Sequence, residues 1–320
     1  MTLFDGVYPF YPQQRKAAVF DISTIIVIVV FLTLACSFLL ITPGIRGRAR
    51  LYWTLRVLLS LAVGMVIVAV QFTGDWERGW ARANTSYKSF SPALVSADIG
   101  LHVGLAGVNV TLLGAPVRQL NETIDYNEHF AWGADYEQSY GAGLQKGLPT
   151  PILYVAEKFR ARSPCGAQQQ YRSAGRYASI ALWVAFCTWL VSNMLFSTPA
   201  LVYGGYTLLL TGAFLLFSLL SFSTVRTSLL CPIQFGPVAL HTAYGGSFWL
   251  TLAVGLLCLL AGVTVVLLHH FNLDLLKTFF DLREDLAEEC QEMTQVYINP
   301  RFVSKGLGPL PPSKPSPSSI

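Results

Sequence analysis

The chain has 320 residues, 53% of them hydrophobic and only 12% charged, with a formal net charge of +4. A soluble domain carries about twice that charged fraction, and the basic residues form no stripe with interleaved aromatics, so nucleic acid is not an expected partner. Six cysteines without a C-x-x-C pair argue against a zinc site or a thioredoxin-type redox motif.

Residues 1–21 precede the first apolar stretch. A membrane-spanning helix needs about 20 apolar residues, because the hydrocarbon layer is about 30 Å thick and a helix rises about 1.5 Å per residue. Ile22 to Thr42 supplies 21 uncharged residues and predicts the first span (22–42). A basic loop (43–52) holds Arg46, Arg48 and Arg50, and the second span follows at 53–73, bracketed by Arg56 and Asp75. A hydrophilic segment fills 74–176. Tyr177 to Val225 then runs uncharged for 49 residues, too long for one helix. Pro199 and Gly204-Gly205 break it into a third span (177–197), a short turn (198–202) and a fourth span (203–223). A loop (224–247), a fifth span (248–268) and a tail (269–320) complete the chain.

Basic residues near span ends favour the cytosol. The arginine loop is therefore assigned to the cytosol, the N-terminus to the exoplasmic side, and, with five spans, the C-terminus to the cytosol. The first apolar stretch exceeds the 7–15 residues or so of a signal-peptide core, so it reads as an uncleaved anchor. Three N-x-[ST] sequons, at Asn84, Asn109 and Asn121, all fall in the segment this topology makes exoplasmic, where glycan addition occurs.

That segment carries nine acidic and ten basic residues, a balanced and solvated composition of domain size. Ile99, Leu101, Val103 and Leu105 alternate with Gly100, His102 and Gly104, predicting a strand, with Val108 to Leu113 as its neighbour. Glu137 to Lys146 and Ile152 to Arg160 read as short helices. The expected fold is therefore a mainly α-helical membrane protein: five transmembrane helices and a small β-containing, mixed α/β exoplasmic domain between spans 2 and 3. In the tail, Leu273 to Met293 reads as an amphipathic helix with an acidic face, followed from Pro309 by a disordered Pro/Ser-rich end.

Candidate chemistry is sparse. None of the five histidines lies in the middle of a span, so a membrane haem is not expected, and no charged group sits at mid-membrane as a transporter requires. His102, His129, Asp125 and Glu128 form a conceivable metal or hydrolytic cluster, but such pairs more often face solvent in a loop. No catalytic, cofactor-binding or metal-binding residue is assigned, and no enzymatic activity is expected. Cys165 and Cys231 are the only cysteines on the exoplasmic side, where an oxidising environment favours their pairing; two free thiols, or pairing with another chain, are the alternatives. Cys36, Cys187 and Cys258 read as packing residues within spans. Asn299-Pro300-Arg301-Phe302 has the N-P-x-[YF] form that adaptor domains bind, against the plainer reading of a tail turn. A claudin-like junctional adhesion or scaffolding protein is the alternative class, although claudins have four spans and a W…GLW…C…C pattern that is missing here.

Several stretches, taken together, carry a family likeness: Gly6-Val7-Tyr8-Pro9-Phe10-Tyr11-Pro12, Pro43-Gly44-Ile45-Arg46-Gly47, Leu120-Asn121-Glu122-Thr123-Ile124-Asp125-Tyr126-Asn127-Glu128, Ala156-Glu157-Lys158-Phe159, Ser163-Pro164-Cys165-Gly166 and Leu230-Cys231-Pro232. Over roughly residues 1–270 the sequence resembles the dual oxidase maturation factors, or dual oxidase activators, and looks most like the type-1 member. The resemblance implies a heterodimer with a dual oxidase, open to higher-order assembly, formed in the endoplasmic reticulum. It also implies export of that oxidase to the plasma membrane and hydrogen peroxide production there. Haem, FAD and NADPH would belong to the oxidase, with no cofactor on this chain. The family's exoplasmic cysteine pair matches Cys165 and Cys231, and its glycosylated loop matches the one here. Its history of binding the adaptor Numb gives the turn at Asn299, Pro300 and Phe302 a candidate partner.

Overall fold

A computed structural model describes residues 22–41, 49–133, 135–163, 167–198, 201–228 and 232–271. Five helices are long and apolar enough to cross a membrane: α1 (Ile22–Ile41), α2 (Ala49–Phe72), α5 (Ala167–Leu195), α6 (Leu201–Ser228) and α7 (Gly246–Phe271). Between α2 and α5 lie four strands, β1 (Glu77–Ser86), β2 (Leu94–Val103), β3 (Gly107–Gln119) and β4 (Glu122–Ala131), and two short helices, α3 (Tyr136–Gln145) and α4 (Thr150–Phe159). Two further strands, β5 (Ile233–Phe235) and β6 (Val238–Tyr244), lie between α6 and α7. The chain is thus a multi-pass membrane protein, mostly helical, with a small antiparallel sheet outside the bundle.

α2 and α5 run antiparallel along a seam of small and polar residues, the pattern expected where lipid removes the hydrophobic drive for helix association. At one end the Arg56 guanidinium donates to the Phe196 carbonyl at 2.9 Å, and Ser60 donates to the Asn193 side chain. Gly64 faces the Trp189 indole, where an added Cβ would lie 2.5 Å from ring carbons. At the other end Gln71 donates to Ser179. α5 continues onto α6 through Ser192 Oγ donating to Gly204 O (3.0 Å) and Thr211 donating to Thr188 (2.9 Å). α6 and α7 approach closely at Gly212 and Gly262, where a Cβ would reach Leu259 and Leu209 respectively, each at 2.7 Å. α1 stands apart: none of its residues is buried, and Phe38 meets Trp53 of α2 edge-on at 6.4 Å.

The sheet has strand order β4-β3-β2-β1-β6-β5, with every neighbouring pair antiparallel. Period-2 alternation gives it two faces. Val95, Ala97, Ile99, Leu101 and Val103 of β2 and Val108, Val110 and Leu112 of β3 are buried on one side, with Ile152, Val155, Ala156 and Phe159 of α4 in the same core. The other face carries Arg78, Trp80, Arg82 and Asn84 of β1, Asp98 and His102 of β2, and Asn109 and Thr111 of β3. α3 and α4 are tied by the Tyr136 hydroxyl donating to Ala156 O (2.7 Å) and by Arg160 Nη2 against Glu137 (2.7 Å).

Three features depart from the sequence reading. β1 and β4 join the two expected strands. β1 shows no apolar alternation because its inward positions after Glu77 are Gly79, Ala81 and Ala83, small residues that hydropathy does not mark. The loop expected over 224–247, for which no strand is predicted, supplies β5 and β6, and β6 pairs with β1 in the register Glu77↔Tyr244 and Trp80↔His241. α5 begins ten residues ahead of the expected 177, because Ala167, Gln168, Tyr171, Ala174 and Gly175 continue its buried stripe beyond the apolar span.

Replacing Gly64 by Leu should overpack the α2–α5 seam at Trp189 and lower stability on the order of 1–3 kcal/mol. A thermal melt of the detergent-solubilised protein reads this directly; an unchanged melt would mean the two helices are not held this closely.

Candidate functional site at the membrane junction

The chain leaves α2 through Thr73-Gly74-Asp75-Trp76 and enters β1 at Glu77, so a few residues must orient the whole sheet on the helices. Trp76 is fully buried and acts as the hub. Its indole donates to Val70 O on α2 (2.8 Å), its amide to Val103 O at the end of β2 (3.0 Å), and its carbonyl accepts from Gly245 just before α7 (2.8 Å). Its ring packs 5.2 Å from Phe222 of α6 and 6.5 Å from Phe248 of α7. One residue therefore touches three spans and two strands' connections. The aromatic contacts continue on both sides. Tyr244 stacks on Phe248 at 4.1 Å, and Phe222 meets Tyr171 of α5 at 6.2 Å. Tyr171 stacks at 5.5 Å on Trp132, which stacks in turn on Tyr136 at 6.1 Å. Each such pair is worth about 0.5–1.5 kcal/mol beyond its area, so the chain of rings is a substantial clamp.

Two carboxylates flank Trp76. Asp75 accepts from the Gly246 amide (3.2 Å) at the start of α7, while the Asp75 carbonyl accepts from Ser247 (3.2 Å). A carboxylate there satisfies orphan amides and suits the positive end of the helix dipole. Arg78 pairs with the same carboxylate, one contact being Nη2 to Oδ2 at 2.7 Å, and His102 Nδ1 lies 3.8 Å from Oδ1. Partial burial alone would raise the Asp75 pKa. The nearby His102 ring, the hydrogen bonds and charge of Arg78 and the Gly246 amide outweigh it and hold the carboxyl below its ordinary 3.8. Glu77 points inward, 1% exposed, and accepts a 2.8 Å hydrogen bond from the Tyr171 hydroxyl. Thr73 and Ser247 hydroxyls, 2.6 Å apart, close the α2–α7 side of the joint.

The candidate residues from the sequence are distributed as follows. Asn84 is exposed on the outer face of β1, and Asn121 is exposed in the two-residue β3–β4 turn with φ of 58°. Asn109 lies mid-sheet, half-buried, in register with His102 on β2 and His129 on β4. The His102, His129, Asp125 and Glu128 group does not converge. His102 and His129 are two strands apart, about 10 Å, on either side of Asn109. Glu128 alternates to the opposite face from Asp125 and His129, where burial raises its pKa despite the Lys146 charge. Among the described residues no group of three or more His, Cys, Asp or Glu side chains is placed to hold a metal ion. Cys36, Cys187 and Cys258 are free thiols. Cys165, Cys231, the N-terminal segment, residues 43–48 of the arginine loop and residues 272–320 of the tail, with Asn299, Pro300 and Phe302, lie outside the described residues, whereas Arg50 lies in the first turn of α2, which begins four residues ahead of the expected 53, and His269 and His270 lie in the last turn of α7.

Sequence reasoning does not single out Asp75, Trp76, Glu77 or Tyr171 as functional. Asp75 reads there only as the charge bounding a span, and its capping partner lies 171 residues away.

Fold and joint together define a multi-pass membrane protein in which five apolar helices carry an extramembrane antiparallel sheet. Known proteins narrow this. The family model described as "Dual oxidase maturation factor" matches residues 10–284. Dual oxidase maturation factor 2 of Mus musculus is 56% identical over 302 residues, covering 93% of this chain and 94% of its own length. Dual oxidase maturation factor 1 of Mus musculus is 51% identical over 285 residues, covering 88% and 83%. The Caenorhabditis elegans maturation factor 1 is 31% identical over 299 residues, covering 88% and 74%. The chain belongs to the dual oxidase maturation factor family. Both types are represented, and the identity to the mouse type-2 member is the higher of the two mouse values.

Because the folded-state pKa of Asp75 is depressed, its contribution to stability is present above the ordinary carboxyl pKa and is lost as pH falls through the lower folded value. Asp75→Asn should therefore melt below wild type at neutral pH, and the gap should close below about pH 4. A gap that persists at low pH would show that the carboxylate charge is not what holds the joint.

Proposed function

We propose that this chain is a non-catalytic maturation factor and subunit of a dual oxidase. It binds the oxidase in the endoplasmic reticulum as a heterodimer, open to higher-order assembly, and is required for the oxidase to leave that compartment, reach the plasma membrane and produce hydrogen peroxide. The carrying observation is family membership across residues 10–284, which include all five apolar helices and the sheet. The haem, FAD and NADPH of the peroxide chemistry reside on the oxidase, and this chain contributes no cofactor of its own. The claudin-like adhesion alternative finds no support among the relatives.

The N-terminus and the sheet face the exoplasmic side and the tail faces the cytosol, a reading supported by the basic bias of the arginine loop at 43–52. In that topology Asn84, Asn109 and Asn121 carry N-glycans, and Cys165 pairs with Cys231. Such a bridge would join the segment before α5 to the segment after α6, adding about 2–4 kcal/mol to a joint otherwise made by strand pairing and ring packing. In the tail, Asn299, Pro300 and Phe302 offer a turn for the adaptor Numb. The physical logic of the role is rigidity. A partner that folds against a preset surface loses less ordering entropy than one that must shape the surface as well.

Deleting this gene in cells expressing a dual oxidase should leave the oxidase with immature glycans and abolish surface peroxide release; unchanged glycan maturation and peroxide output would defeat the proposal. Cys165→Ser and Cys231→Ser should each lower the melting temperature and impair oxidase export to a similar degree, and wild-type export from either variant would count against the bridge.

A further inference from the structure

The end of the sheet far from the helices is unexpectedly apolar. β1 climbs ten residues from the joint, about 30 Å, to the loop joining it to β2. In that loop Phe90 is fully exposed, and Leu94, the first residue of β2, is 66% exposed. The β3–β4 hairpin ends beside it, because Lys88 and Glu122 pair at 2.5 Å and the Gln119 amide bridges to Ser96 at 2.7 Å. That hairpin adds Leu120, 52% exposed, and Val117, 45% exposed. Leu120 sits at φ 52° in a two-residue turn, a left-handed position where Asn or Gly is at ease and a branched apolar residue is not. The patch lies about 30 Å along β1 from the joint, at the opposite end of the strand from the helices. Exposed apolar side chains gathered on neighbouring loops at one end of a sheet invite association.

Two of the three sequons border the patch. Asn84 is exposed two residues before Ser86, the cross-strand partner of Leu94. Asn121 immediately follows Leu120 and is exposed at the turn. Asn109 lies in the register row nearer the joint, between His102 and His129. We propose that N-glycans on Asn84 and Asn121 lie over the apolar end formed by Phe90, Leu94, Val117 and Leu120, and keep it from self-association. A pyranose ring is suited to such cover, because its C–H face lies against apolar side chains while its hydroxyls stay hydrated. The sugars at these two positions are thus shields of a defined surface, whereas the one at Asn109 covers polar sheet.

The inference rests on the exoplasmic placement of the sheet given above, and the test separates the two. Full-length protein is expressed in mammalian cells, and glycosidase mobility shifts on single Asn→Gln variants establish which sites carry sugar. No shift at Asn84 or Asn121 would remove the shield, and no shift at any site would overturn the topology with it. With both sites occupied, N84Q/N121Q should lose monodisperse protein in detergent several-fold, and N109Q should lose less. Adding Phe90→Ser, Leu94→Thr and Leu120→Asn to N84Q/N121Q should restore the monodisperse fraction, since the surface needing cover is gone and Leu120→Asn relaxes the turn. Failure of that restoration, or an N84Q/N121Q protein that stays monodisperse, would overturn the proposal. So would loss of oxidase co-purification when the three polar substitutions are made with both glycans intact, because the patch would then be a docking surface.

Discussion

Everything outside the bundle depends on the packing of Trp76. A sheet attached to helices by single chain crossings would swing freely. Here one buried indole fills the space where α2, α6 and β2 end and α7 begins. Its hydrogen bonds are to backbone groups at element termini, where the helix's own hydrogen-bond ladder runs out. Asp75 and Glu77 extend the same device on either side, one capping α7 and the other accepting from α5. Neither carboxylate needs a catalytic explanation.

The bundle below follows a different logic. Lipid offers apolar side chains no gain from leaving it, so helices associate through shape and through hydrogen bonds. Gly64 under Trp189, and Gly212 and Gly262 against Leu259 and Leu209, supply the shape. Arg56, Ser60 and Gln71 on α2 supply donors along the α5 seam. α1, which meets α2 at Phe38–Trp53 and has no fully buried residue, contributes least to this network.

The spans and the central β2–β3 pair were legible in the sequence because each follows a local periodicity: unbroken apolar runs of helix length, and Ile99, Leu101 and Val103 alternating with small or polar neighbours. α3 and α4 showed themselves likewise around Pro149 and Pro151. β4 was readable in principle, since Ile124, Tyr126 and Phe130 alternate with Asp125, Asn127 and His129, but its acidic residues suggested a loop. β1 gave no such signal, because glycine and alanine face its core. The absent four-residue cluster shows the same boundary from the other side. His102, His129, Asp125 and Glu128 look like a group along the chain, yet strand alternation turns Glu128 away and Asn109 stands between the histidines.

By itself the sequence determined the membrane class, the number of spans, the existence of a sheet domain and the family, since these rest on composition, local period and short contiguous motifs. Only the tertiary structure decided that the loop before α7 completes the sheet, that Asp75 caps a helix 171 residues away, and that the β1–β2 loop and the β3–β4 turn meet at one end of the sheet. The physical reason is range. Burial of an apolar run is settled within a few turns of chain, whereas strand partners, caps and rings meet only after the helices have packed, and no local pattern encodes which distant residue will arrive.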